Sequence, residues 1–147
     1  MRTFTLTNPG LAFLLAISSV ACGRKGDPIP HPRAEPQAPE AHWVGLRQLE
    51  VNLPSRDVRG ESLVGLEQLR VFYLPLSTVK PGPRDVVARG EVVVERRRPN
   101  LPAPGKRLRI NLSDLNRPQG WIVVVAVRVG DVVGPPSDTL VWLDPAL

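Results

Sequence analysis

Cysteine is nearly absent: Cys22 is the only one in 147 residues. One thiol excludes an internal disulfide and any zinc site built from several cysteines. Histidine is almost as scarce. Only His31 and His42 occur, and neither has a partner at metal-ligand spacing or in a triad arrangement. Aromatics make up 5% of the chain, too few for the stacked platforms that bind single-stranded nucleic acid. A glycine-rich phosphate loop is missing too. So is any apolar run of about 20 residues, the length that crosses a bilayer as a helix. Glu91 and Glu95 stand beside Arg89 and Arg96, which predicts exposed charge pairs rather than an acid–base pair. These absences predict no enzyme, no metal, no cofactor and no nucleic-acid partner.

What is present divides the chain into three. The first segment, 1–21, has the composition of an export signal. Arg2 is followed by the apolar stretch Leu11, Ala12, Phe13, Leu14, Leu15, Ala16 and Ile17, reaching Val20. That stretch suits the h-region of a signal peptide. The second segment, 22–41, carries Pro28, Pro30, Pro32, Pro36 and Pro39 with almost no apolar periodicity. Such a segment cannot offset its ordering entropy by burial, and polyproline II is its natural conformation. As a tether it reaches on the order of 60 Å at full extension. The third segment, 42–147, is a single domain. Of the 19 basic residues only Arg2 precedes Cys22, and all 14 acidic residues follow it. The remainder is therefore mildly basic, which favours anionic lipid or phosphate-bearing glycan over neutral partners.

Ser19-Val20-Ala21-Cys22 resembles the lipobox of bacterial lipoproteins. The resemblance implies diacylglyceryl transfer to the Cys22 thiol, cleavage before it, and acylation of the new amino group. Several acyl chains would hold the protein to a lipid bilayer where one would not. The same Ser19-Val20-Ala21 also fits the small-x-small pattern of ordinary secretory cleavage, so a soluble periplasmic or secreted protein is the alternative. The following Cys22-Gly23-Arg24-Lys25-Gly26-Asp27-Pro28-Ile29-Pro30 resembles the opening of many Gram-negative lipoproteins, including small ones associated with lipopolysaccharide-transporter assembly. Gly23, not Asp, follows the cysteine, which by that resemblance implies the periplasmic side of the outer membrane.

In the domain the apolar period is two. Leu49, Val51 and Leu53 alternate with polar residues, as do Leu108, Ile110 and Leu112. Leu69, Val71 and Tyr73 repeat the pattern. Trp121, Val123, Val125, Val127 and Val129 share one face of a longer run, and Leu140 with Trp142, or Val141 with Leu143, closes the series. Alternation bounded by Gly, Pro, Asn and Asp marks strands, and no segment after Cys22 sustains a helical period. Several short strands in about a hundred residues predict an all-β sandwich; a lipocalin-like barrel is the rival, although the chain is short for eight strands.

Leu115, Pro118, Gly120, Trp121, Val123, Val125 and Val127, followed by Gly134-Pro135-Pro136-Ser137, resemble the end of a fibronectin type III domain, and Leu69-Arg70-Val71-Phe72-Tyr73 resembles that family's strand C. The resemblance implies an immunoglobulin-like β-sandwich in which Trp121 replaces the corner tyrosine at the start of strand F. Its indole N–H would then supply the corner's polar contact, with Leu115 packed nearby. Leu53-Pro54 stands where the family usually packs a tryptophan.

One surface feature stands out. Arg96, Arg97, Arg98, Lys106, Arg107 and Arg109 flank a loop rich in proline. If their strands are neighbours, these charges gather into a site for an anionic envelope component; otherwise they solvate a loop and blunt an edge strand. The expected function is a membrane-anchored envelope lipoprotein whose sandwich binds a protein or glycan without catalysis. The alternative is an accessory factor in outer-membrane or lipopolysaccharide-transporter assembly, acting through the lipidated N-terminal segment.

Overall fold

The structure is a computed structural model that describes residues 34–143. The expected signal peptide, Cys22 and the tether as far as 33 lie outside the described residues.

Two antiparallel sheets form the domain. The first contains β1 (Glu40–Gly45), β2 (Gln48–Asn52) and β5 (Arg107–Asn111), in the order β1-β2-β5. The second contains β3 (Leu66–Pro75), β4 (Glu91–Arg97), β6 (Gly120–Arg128), β7 (Val132–Val133) and β8 (Leu140–Trp142). Its order is β4-β3-β6, with β7 and β8 both pairing β6 on its far side.

The period-two pattern explains the packing of the inner faces. Leu49 and Val51 of β2, Ile110 of β5, and Leu69, Val71 and Tyr73 of β3 are buried together between the sheets. Ile122, Val124 and Ala126 of β6 and Trp142 of β8 complete that layer. Fully burying each aliphatic side chain contributes about 1.5–3 kcal/mol.

Strand β6 buries both of its faces. Trp121 and Val123 do share a face, but it is the outer one. They join Leu74, Val86 and partly buried Phe72 in a second cluster, while Ile122, Val124 and Ala126 face the main core. A strand covered on both sides reads as a continuous apolar run, and Gly120–Val127 is buried throughout.

The cover on the outer face is a helix that the period-two reading missed. Helix α1 (Pro83–Arg89) places Pro83 in its first turn, with Asp85 also in that turn and Arg89 in the last. Proline tolerates the first turn and the two charges suit the helix dipole. At seven residues it is too short to show a sustained period, and Val86 is its one buried side chain. Gly90 ends it, where a Cβ would lie 2.4 Å from the Val86 carbonyl oxygen and 2.6 Å from that of Tyr73.

The domain also begins before residue 42. Strand β1 starts at Glu40, and the chain is already bound by Ala34. Val58 N–H donates to the Glu35 carbonyl, Gln37 N–H donates to that of Arg56, and Arg128 Nη1 donates to that of Ala34. Ala34, Pro36 and Pro39 are buried. Residues 34–41 are therefore part of the folded unit rather than tether. Composition alone missed this because the stabilising partners lie further along the chain, at Arg56 and Val58 and at the end of β6.

Strand β8 does not extend β7 directly. Between them Pro135 and Pro136 bring no N–H to the edge of β6. Ser137 restores the ladder: its hydroxyl accepts from Val124 N–H at 2.9 Å, and its own N–H donates to the Val124 carbonyl at 2.8 Å.

Candidate functional site

The corner between β5 and β6 is fastened by different residues from those the fibronectin comparison implied. Tyr73 Oη donates to the Pro118 carbonyl at 2.9 Å, and Trp142 Nε1 donates to that of Arg117 at 3.0 Å. Both side chains come from the inner layer and reach the corner from below. Trp121 lies in the outer cluster, and its Nε1 meets no acceptor among the described residues. Leu115 packs against the inner core, so it does not sit in the cluster that holds Trp121. The position that the resemblance assigned to the corner, Trp121, is not the residue that makes the polar contact.

Strand pairing does not bring the six basic residues together. β4, which carries Arg96 and Arg97, is an edge of the larger sheet, whereas β5, which carries Arg107 and Arg109, is an edge of the smaller one. The two strands are never paired.

On β5 both arginines face one carboxylate. Register places His42 opposite Glu50 and Glu50 opposite Arg109, in a row across the outward face of the smaller sheet. Glu50 lies among two arginines and a histidine. Arg109 Nε is 3.1 Å from Oε2, while Arg107 Nη1 and His42 Nε2 are 3.7 and 3.5 Å from Oε1. The Glu50 side chain is only 8% exposed although it points away from the core, because the long arginine stems cover it. The alternation Leu49-Glu50-Val51 announced that Glu50 faces outward. Its partners depended on a register that sequence does not provide. Lys106 precedes β5, and its carbonyl accepts from Leu53 N–H.

At the end of β4 the arginines have a different setting. Arg96, Arg97, Arg98, Glu95 and Asn100 line a concave site of about 450 Å³. Arg97 Nε is 2.6 Å from Glu95 Oε1. Arg98 Nε donates to the Leu66 carbonyl at 2.9 Å, and its backbone N–H donates to that of Glu67. These bonds fix the Arg98 stem against β3. Among the described residues Arg96 Nη1 makes a long contact, 3.4 Å, with the Glu95 carbonyl. A neighbouring hollow shares Arg98 and is otherwise lined by Pro99, Leu101 and Ala103.

The two acidic residues of β4 pair with arginines other than those beside them in sequence. Glu91 Oε1 lies 2.9 Å from Arg117 Nε, and Glu95 pairs with Arg97. Both are partly exposed ion pairs. Among the described residues, no group of His, Cys, Asp and Glu has the arrangement of a metal site. No described helix is long and apolar enough to cross a membrane.

No family model matches this chain, and a search of curated proteins finds no similar sequence.

Proposed function

We propose that this protein is a membrane-anchored envelope lipoprotein whose β-sandwich is a non-enzymatic binding module for a protein or glycan. The observation that carries the reading is Cys22, the only cysteine, following a short apolar run and the small residues Ser19-Val20-Ala21. An unpaired thiol in an exported protein has a role there that disulfide pairing cannot give it. Outer-membrane placement on the periplasmic side follows from Gly23 after the cysteine, by the same resemblance.

The sandwich is of fibronectin type III type. The strand that resembles strand C, β3, pairs with β6, which resembles strand F, and β6 pairs with β8 in the place of strand G. Strands C, F and G share a sheet in immunoglobulin-like domains, and A, B and E share the other. The order β1-β2-β5 is consistent with A-B-E. Such domains bind through sheet edges and end loops. Here the edge strand β4 ends in the arginine-lined hollow.

Affinity capture with the lipidated full chain from detergent-solubilised envelope tests the module. A partner or glycan retained by the full chain, and lost when the sandwich is unfolded by a core substitution such as Leu49→Asp, is the expected result. Retention that depends only on the acylated N-terminal segment would overturn it.

A further inference from the structure

We infer that the hollow at the end of β4 is a binding site for a phosphate monoester, held chiefly by Arg96 and Arg98. The inference rests on the binding-module reading and names the ligand chemistry of that module. Three arginines and one glutamate line the hollow, an excess of two positive charges. A phosphate monoester carries about −1.5 to −2 at pH 7, so it complements that excess where a singly charged carboxylate leaves half of it unmatched. Guanidinium groups also match the tetrahedral oxygens in paired geometry.

The arginines differ in what they have left to give. Glu95 holds Arg97 at 2.6 Å. Arg98 uses Nε on the Leu66 carbonyl, a bond that orients its fork while its two terminal nitrogens make none of the described hydrogen bonds. Arg96 makes one long contact to a backbone carbonyl. Arg107 and Arg109 are engaged with Glu50 on the other sheet and do not line the hollow. The adjoining space beyond Arg98 is lined by Pro99, Leu101 and Ala103, with Leu101 only 6% exposed. That gives an apolar bed for the carbon skeleton bearing the phosphate. A phosphate on an organic carrier fits both halves better than inorganic phosphate fits either.

The carrier is a sugar or a lipid headgroup, and two titrations of the full chain in detergent separate them. One uses glucose 1-phosphate, with glucose as its uncharged control. The other uses mixed micelles containing phosphatidate, with phosphatidylglycerol, a diester of lower charge, as control. The site predicts saturable one-to-one binding of at least one monoester in preference to its control. Binding of glucose 1-phosphate alone assigns a sugar phosphate, and binding of phosphatidate alone assigns a lipid headgroup. Arg96→Gln and Arg98→Gln should each weaken it by about tenfold, and Glu95→Gln should tighten it by removing the competing carboxylate. Arg107→Gln removes the same charge from the other sheet and should leave affinity unchanged. Because Arg98 also holds β3, its thermal unfolding is measured alongside, and Arg96→Gln carries the test if Arg98→Gln unfolds. No saturable binding of either monoester, or an equal loss in Arg107→Gln, would overturn the site. Absence of phosphate binding while envelope capture still recovers a partner rejects this site and leaves the module intact.

Discussion

Tyr73 shows how one side chain couples the core to a loop. It is the only tyrosine in the chain, is 1% exposed, and donates its hydroxyl proton to the Pro118 carbonyl. Burial pushes its phenol above the ordinary value, opposed by Arg117 and reinforced by Glu91. A phenol whose folded pKa is raised is neutral in the fold, while the unfolded chain ionises first. The unfolded state therefore binds fewer protons as pH passes about 10, and the stability contributed by Tyr73 is present below that pH and lost above it. Only one phenol absorbs, so the tyrosinate band in an alkaline titration reports Tyr73 alone. A midpoint above that of the unfolded chain in denaturant is expected. Tyr73→Phe should cost about 0.5–1.5 kcal/mol in urea unfolding, the worth of the lost hydrogen bond to the Pro118 carbonyl, and should weaken the alkaline loss of stability. Gly120 sits at the same corner for a steric reason. A Cβ there would lie 2.5 Å from both the Leu74 carbonyl oxygen and the Tyr73 ring.

Elements differ in how far local sequence announced them. Strands β2, β3 and β5 alternate against the main core, so their period gave both existence and inward residues: Leu49 and Val51, Leu69, Val71 and Tyr73, and Ile110. Strand β6 is apolar on both faces, and its run of valines did not say which set meets the other sheet. The covering element, α1, is a single short helix with one buried residue, below the length at which a 3.6 period registers. Val86→Ala should therefore destabilise by about 1–3 kcal/mol, the burial value of that side chain, and expose the outer cluster to an apolar dye. Ser137 is a further case. Nothing in Gly134-Pro135-Pro136-Ser137 distinguishes a turn from a ladder position until β6 is beside it. Ser137→Ala should cost about 1–3 kcal/mol by leaving the buried Val124 amide unpaired, and amide exchange at Val124 should accelerate selectively. The arginine site was half legible for the same reason. The run Arg96-Arg97-Arg98 is local, but its division from Arg107 and Arg109 depends on which sheet each strand joins.

At the scale of the whole molecule, a folded unit that begins by Ala34 shortens the spacer behind the proposed anchor. The proposed anchoring rests on acylation at Cys22. Removing the thiol removes the nucleophile for diacylglyceryl transfer, and lipid-dependent cleavage has no substrate without it. Cys22→Ala should therefore accumulate as the uncleaved precursor, or be released as a soluble form cut at the Ser19-Val20-Ala21 pattern. The wild-type chain should partition into detergent and show, by intact mass, acyl groups on a polypeptide that begins at Cys22. A wild-type mature chain with a free thiol and no acyl mass would make the protein a soluble exported one. The sandwich would keep its binding site but lose the two-dimensional confinement that raises the local concentration of any membrane-bound partner.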